Sequence, residues 1–141
     1  MAVGFYTPPF YPLNNLSPHA IEYDGRLYPT AEHAYMAAKL SDHEAKEAIR
    51  NARSPQMAKE LANVTYKDIR DPEWENKKLS IMEDVIRTKL SQHPEVRQAL
   101  QDSGDEEIVE DSPTDYFWGE GKDGSGQNHL GKLWMKLRAE L

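Results

Sequence analysis

The glycine-rich stretch at residues 112–131, SPTDYFWGEGKDGSGQNHLG, constrains the fold of this chain more than any other segment. Five of its last thirteen positions are glycine, a residue that adopts positive φ and lets the backbone approach a ligand closely. Trp118 adds a flat apolar face with one N–H donor, and Asp115 adds a carboxylate nearby. The pattern predicts a loop that wraps a flat polar ligand; the alternative is a surface loop with turn glycines and a tryptophan that covers the core.

Length and charge limit the class of protein. The chain has 141 residues, of which 38% are hydrophobic and 29% charged, as expected for one domain, residues 1–141, with a buried core. Its net charge of −7 argues against a general affinity for nucleic-acid backbones, which requires basic patches. A small anionic ligand held by a few placed cations remains compatible with that charge.

Cysteine usage and hydropathy bear on location. There is no cysteine, hence no disulfide and no thiolate zinc site. No apolar run approaches the roughly 20 residues that span a membrane, and the first thirteen residues lack the features of a signal peptide. We therefore expect a cytoplasmic protein that does not bind membranes.

Capping and turn signals predict an α+β fold in which helices dominate and the β-sheet is small. Asp24-Gly25 between two short apolar segments predicts a hairpin, and Ser54-Pro55 predicts a helix start. The longest helix is expected to begin at Asp71-Pro72 and to end near Gln92. Further helices are predicted at residues 30–40, from His93-Pro94 to Ser103-Gly104 and from about Asn128, and strands at 4–6, 20–23, 26–28, 107–110 and 116–118.

Two charged residues on the first of these helices are candidates for chemistry. Helical spacing places Glu32 and Lys39 on one face. A glutamate in the first turn also complements the helix dipole, and a lysine at the other end is often solvated, so both residues have a structural alternative. Trp74, at the start of the longest helix, lies either in the core or beside a pocket, whereas the spacing of Trp134 predicts core packing. Asn15 lies in a loop, where it either caps a turn or binds a ligand.

Other kinds of site find no support. The histidines are scattered and stand at no metal-ligand spacing, and the chain contains no phosphate loop of the G-x-x-x-x-G-K-[ST] type. We expect neither a metal nor a cofactor.

The ordered set of motifs resembles the NADAR superfamily, in its YbiA-like N-glycosidase branch. The resemblance runs from Phe5-Tyr6 almost to the C-terminus. It rests on Asn15-Leu16-Ser17, the segment from Asp24 to His33, Lys39, Ser54-Pro55, Ala58, Trp74, Met82, Lys89 and Gln92, and on the final block with Val109-Glu110, Ser112-Pro113, Asp115, Trp118-Gly119, Gly121, Gly126, Asn128, Leu130-Gly131 and Arg138.

The resemblance implies an α+β fold with one pocket and an N-glycosidase activity. YbiA-like members of the superfamily hydrolyse the ribose–nitrogen bond of phosphoribosylated aminopyrimidines at the start of riboflavin biosynthesis. Other members are linked to ADP-ribose, including its removal from guanine in DNA. It places Glu32, Asp115 and Trp118 at the functional positions. Other pocket residues by the same resemblance are Asn15, Lys39, Trp74, Gly119 and Asn128. Met36, Leu40, Leu16 and Leu90 replace aromatic residues of many members, changes that concern packing more than chemistry.

The two carboxylates suit cleavage of a ribose–nitrogen bond, which passes through an oxocarbenium-like state. We assign Glu32 as base and stabiliser, Asp115 as orienting or acid group, and Trp118 as a stacking surface. Backbone N–H groups near Gly119 and Gly121 are expected to contact the ribose or phosphate. Lys39 offers a second route through a Schiff base with the ring-opened sugar.

The expected partner is therefore a small phosphorylated riboside. ADP-ribosylated DNA is the alternative substrate, and a module that binds ADP-ribose or NAD without turnover is the alternative class. The acidic net charge favours the small molecule.

Overall fold

The computed structural model describes residues 2–6 and 8–141. They form two units, one made of Met1–Ser17 and His93–Leu141, the other of Pro18–Gln92. The elements in chain order are β1 (Ala2–Gly4), β2 (Ile21–Tyr23), β3 (Arg26–Tyr28), α1 (Ala31–Ala38), α2 (His43–Arg50), α3 (Pro55–Glu60), α4 (Trp74–Gln92), α5 (Pro94–Asp102), β4 (Glu107–Val109) and α6 (His129–Ala139). The predicted α+β fold, dominated by helices, is confirmed.

The hairpin that opens the 18–92 unit forms where the sequence predicts it. Strands β2 and β3 pair antiparallel, with Ile21 opposite Tyr28. Asp24 and Gly25 between them have φ of 53° and 77°, the left-handed pair that a two-residue hairpin turn with the strands' own twist requires.

Side-chain caps set the starts of α1, α2 and α3 in this unit; at α2 the Asp42 carboxylate accepts a hydrogen bond from the backbone N–H of Ala45 at 2.9 Å. The Thr30 hydroxyl accepts a hydrogen bond from the backbone N–H of His33 at 3.1 Å, and the Ser54 hydroxyl accepts one from Met57 at 3.0 Å. Each cap satisfies one of the backbone donors that the first turn leaves without a helical partner. The longest helix, α4, begins at Trp74, slightly later than Asp71-Pro72 predicts.

Helix α1 is the central helix of the 18–92 unit. It packs against α2, α3 and α4, and its alanines allow these neighbours to approach closely. Its fully buried residues are Ala31, Ala34 and Ala37. From the sequence, the helix that starts at Ser54-Pro55 is expected to carry Met57, Ala58 and Leu61 inward. Ala58 is buried but Met57 is 44% exposed, so that expectation is wrong for Met57.

The other unit contains a second two-stranded sheet, in which β1 pairs parallel with β4. The first strand lies two residues earlier than predicted, at Ala2–Gly4. Trp134 is buried, and its indole N–H donates to the carbonyl of Leu13 at 3.0 Å, which confirms its core role. Residues 116–118 are not a strand but part of a loop, so the strand predicted there is wrong. None of the helices in the described residues is long and apolar enough to cross a membrane.

Candidate active site

Lys39 lies at the C-terminal end of α1 and is almost buried. Only 8% of the residue is exposed. Its backbone carbonyl accepts a hydrogen bond from the N–H of Asp71 at 2.8 Å, which ties the end of α1 to the segment that leads into α4. The lysine therefore has a defined backbone position and a side chain largely shielded from water.

Two aromatic rings flank the Lys39 amine. Lys39 Nζ lies 5.6 Å from the centroid of the Tyr35 ring and 5.9 Å from that of the Trp74 ring. The two rings contact each other, with centroids 5.2 Å apart and planes inclined by 57°. Distances below about 6 Å allow a favourable cation–π interaction. Trp74 is 2% exposed, so it is a core residue that also borders this amine.

Burial and nearby charges determine the protonation of Lys39. Desolvation lowers the pKa of its amine from 10.5 to about 8, because burial disfavours the charged form. Glu32, in the first turn of α1, acts in the opposite direction, while Arg70 and Lys59 lower the pKa further. At pH 7 roughly one tenth of Lys39 is then neutral, against well under a thousandth for an ordinary lysine.

Asp115 organises the loop that contains Trp118, in the unit that ends at Leu141. Its Oδ1 accepts hydrogen bonds from the backbone N–H groups of Phe117, at 3.0 Å, and Trp118, at 2.8 Å. The Trp118 carbonyl accepts from the N–H of Leu130 at 3.1 Å. The indole is half-buried and meets the Phe117 ring edge-on at 4.8 Å. Asp115 thus fixes the backbone at Phe117 and Trp118.

The loop's own packing explains why glycines occupy positions 119 and 121. A Cβ on Gly119 would lie 2.7 Å from the Glu110 carbonyl oxygen and 2.9 Å from that of Asp115. Gly121 has φ of 71°, and a Cβ there would collide with the ring of Tyr116. Their contact with substrate stays a prediction.

Asn128 joins the end of the loop to β4. Its Nδ2 donates to the carbonyl of Ile108 at 3.0 Å, and its Oδ1 accepts from the N–H of Glu110 at 2.9 Å. Its φ of 52° is one that asparagine tolerates better than most residues. The structure therefore gives Asn128 a role in holding the loop, beside the binding role predicted for it.

Asn15 is buried, with 6% of the residue exposed. It follows a short 3₁₀ turn at Tyr11–Leu13, and the preceding Asn14 fixes the local backbone by accepting from the N–H of Leu16 at 2.8 Å. Such a buried loop amide is compatible with either of the roles that the sequence predicts for it.

The structure brings together Lys39 and Trp74, and places Glu32 on the same helix as Lys39. It also joins Asp115, Trp118 and Gly119 in one loop. Sequence reasoning missed two neighbours of Lys39. Tyr35, one helical turn before it, has the spacing that would have found it. Asn63, whose Oδ1 accepts a hydrogen bond from Lys39 Nζ at 2.9 Å, has no such signal.

Two further observations bear on the site. In the described part of the chain no group of three or more His, Cys, Asp or Glu side chains is arranged to hold a metal ion. Met36 and Leu40, which replace aromatic residues, are 4% and 2% exposed, so these two exchanges lie in the core.

Comparison with known proteins identifies the family. The NADAR domain matches residues 4–141. The N-glycosidase YbiA of Escherichia coli is 36% identical over 128 residues, which cover 91% of this chain and 79% of that protein. An N-glycosidase of Nostoc punctiforme is also 36% identical, over 100% of this chain and 93% of its own length.

A plant protein and a solved structure agree with this match. The chloroplastic riboflavin biosynthesis protein PYRR of Zea mays is 33% identical over 94% of this chain, which spans 23% of that longer protein. The NMR structure of E. coli YbiA superimposes with a TM-score of 0.88 at 32% identity, over 99% of this chain and 84% of the other. The chain belongs to the NADAR domain family.

Proposed function

We propose that this protein is an N-glycosidase that hydrolyses the ribose–nitrogen bond of a small phosphoribosylated aminopyrimidine. The observation that supports it most is the shielded Lys39 amine, on the same helix as Glu32 and flanked by two aromatic rings. N-glycosidases and riboflavin biosynthesis proteins among its relatives support the reaction and the substrate class.

In the route that we prefer, water attacks C1 of the ribose directly. The bond between C1 and nitrogen breaks, and its electron pair stays with the leaving nitrogen, which takes a proton. The Lys39 ammonium is a suitable donor because its lowered pKa brings it close to neutral pH. Glu32 stabilises the positive charge on the sugar and accepts a proton from the attacking water. Transfer of the proton from Glu32 to the now neutral Lys39 restores both groups.

In the second route, Lys39 is the nucleophile. The ribose ring opens with protonation of the ring oxygen, which leaves an imine between C1 and the exocyclic nitrogen of the base. Neutral Lys39 adds to C1 and expels the base as its amine, forming a lysine imine that water hydrolyses to free lysine and ribose phosphate. The lowered pKa leaves part of Lys39 as the neutral nucleophile at pH 7. This supports the second route in a way that the sequence alone does not.

The loop residues have binding roles in this proposal. Trp118 stacks on the pyrimidine, and Asp115 holds Trp118 in place through the two backbone N–H groups that it accepts. Asn15, Asn128 and the backbone around Gly119 and Gly121 contact the sugar or phosphate. These assignments follow the family's motif positions.

Release of the free base by wild type and by Glu32→Gln tests the reaction. Removing the carboxylate charge is expected to lower kcat by about 100-fold or more, in the range usual for a general base. Glu44→Gln is the matched control, because Glu44 is an exposed glutamate in the first turn of α2 and should keep normal turnover. Near-normal turnover by Glu32→Gln would refute the assignment of Glu32.

Borohydride separates the two routes. Reduction during turnover traps a lysine imine as a stable adduct of ribose phosphate on Lys39, visible by mass spectrometry. Direct hydrolysis predicts no adduct, with Lys39→Arg slowed because it has no readily released proton. An adduct at Lys39 would establish the Schiff-base route instead.

A further inference from the structure

A π-helical turn lies beside the Lys39 amine. Residues Leu61–Thr65 form it, and the N–H of Tyr66 donates to the Leu61 carbonyl at 2.8 Å, the i to i+5 bond that defines this geometry. Such turns are rare in proteins and are frequent at functional sites. This one buries Ala62 completely and leaves the next residue, Asn63, on the surface.

Asn63 contacts the amine directly. Its Oδ1 accepts a hydrogen bond from Lys39 Nζ at 2.9 Å. A lysine side chain has four flexible carbons, so an amine intended for chemistry needs a contact that holds it in one place. Tyr35 and Trp74 shield the amine, but aromatic faces give little directional restraint, whereas a hydrogen bond depends strongly on angle.

We propose that Asn63 is a positioning residue for the Lys39 amine, and that the π-helical turn exists to present its amide oxygen to Nζ. The proposal deepens the function proposed above and rests on it for the use made of Lys39. A neutral acceptor suits this task, because it holds both the ammonium and the neutral amine. A carboxylate in its place would favour the ammonium strongly.

The charges that face Lys39 come from four elements. They are Glu32 on α1, Lys59 on α3, Glu75 on α4 and Arg70 at the end of the 3₁₀ turn Lys67–Ile69. Two are positive and two negative, so their effects on the amine partly offset each other. Asn63 supplies a direct hydrogen bond without adding to either sign.

The test is the pH dependence of Lys39 acetylation by acetic anhydride, measured peptide by peptide by mass spectrometry, with exposed Lys122 as internal reference. The Asn63 acceptor stabilises the Lys39 ammonium more than the neutral amine. Asn63→Ala removes that acceptor, so the midpoint pH of Lys39 acetylation should fall by about half to one unit. Asn63→Asp places a negative charge at the same position and should raise the midpoint by about one to two units. Asn76→Ala, which removes an exposed asparagine that bonds Glu73, should leave it unchanged.

An unchanged midpoint in a folded Asn63→Asp variant would overturn the proposal, even if Asn63→Ala failed to fold. Turnover gives the second readout: Asn63→Ala should lose about tenfold or more in kcat with little change in KM. If neutral Lys39 is the nucleophile, raising the pH should restore Asn63→Asp but not Asn63→Ala. Because acetylation needs no substrate, inactivity of the wild type on ribosides would refute the proposed function and leave the role of Asn63 supported by the labelling result.

Discussion

At Lys39, the reactivity of the amine and the stability of the folded protein place opposite demands on burial. Its reactivity depends on the same burial that destabilises its charged form. The alanine-rich α1 allows close packing around the lysine stem, and Tyr35, Trp74 and Asn63 replace part of the water that the amine loses. Residues in active sites commonly carry such a penalty in stability.

This penalty should appear as a pH-dependent difference in stability between wild type and Lys39→Met. The folded-state pKa is about 8, below the 10.5 of the unfolded chain, so between these values the unfolded state binds more protons. The free energy of unfolding of wild type should therefore rise relative to Lys39→Met by about 1.4 kcal/mol per pH unit in that window. Urea unfolding of both proteins at pH 7, 9 and 10 measures it; curves that stay parallel would contradict the lowered pKa.

Two substitutions of Asp115 distinguish an orienting role of this residue from a role as general acid. Asn keeps an oxygen that accepts from Phe117 and Trp118 but has no proton to give, whereas Ala removes both. We expect Asp115→Asn to stay within about fivefold of wild-type kcat/KM and Asp115→Ala to lose about 100-fold through displacement of Trp118. Steady-state kinetics of base release decides between the roles, since equal losses in the two variants would indicate an acid.

Sequence patterns identify the individual residues of the site better than their neighbours. Helical spacing places Glu32 and Lys39 on one face of α1, and the family resemblance predicts that they belong to the site. The approach of Trp74 to Lys39 depends on how α4 packs against α1, and that of Asn63 depends on the position of a π-helical turn; a single sequence contains no periodic signal for either. The second role of Asn128, in holding the loop to β4, depends likewise on long-range pairing.

At the scale of elements, the glycine-rich loop is defined by backbone contacts with itself. The N–H of Gly126 donates to the Glu120 carbonyl at 2.7 Å, and that of Asn128 donates to the Gly119 carbonyl at 2.9 Å. Segments of the loop backbone thus pass closer together than side chains would permit. This is the physical reason for glycine at positions such as 119 and 126.

Two glycine substitutions in this loop should differ sharply. A Cβ on Gly126 would collide with the backbone of Gly119 and Glu120, whereas one on Gly124, at φ of 78°, would meet nothing within 4 Å. We expect Gly126→Ala to lower the free energy of unfolding by about 3 kcal/mol or more, and Gly124→Ala by only about 1 kcal/mol. Thermal denaturation measures both, and similar losses would mean that the loop relaxes around the added methyl group.

Elements with strong local signals were predictable. Capping residues and prolines predicted α1, α3 and α5, and Asp-Gly predicted the β2–β3 hairpin. Helix α2 was missed although it carries a local signal: Asp42 is a capping residue whose carboxylate accepts from the N–H of Ala45 at 2.9 Å, and the buried Ala45 and Ile49 stand at helical spacing. The strand predicted at 116–118 failed because aromatic residues favour strands locally, while here the Asp115 side chain turns the backbone.

For the whole molecule, the extent of cooperative folding is the property to test. The NADAR match spans residues 4–141, and we expect one domain that unfolds in a single transition. Trp74 lies in one compact unit, Trp118 and Trp134 in the other. The fluorescence of Trp74→Phe, which reports the latter two, should therefore give the same urea midpoint as far-UV circular dichroism of that variant; separate midpoints would contradict a single domain.

The most direct measurement is a mass-resolved comparison of base release from two substrates, a phosphoribosylated aminopyrimidine and DNA that carries ADP-ribosylated guanine. With a net charge of −7, we expect release from the small riboside, abolished in Glu32→Gln and kept in Glu44→Gln, and little or none from the DNA. Release from the DNA alone would assign the protein to nucleic-acid repair, and release from neither would contradict its assignment as an N-glycosidase of these substrates.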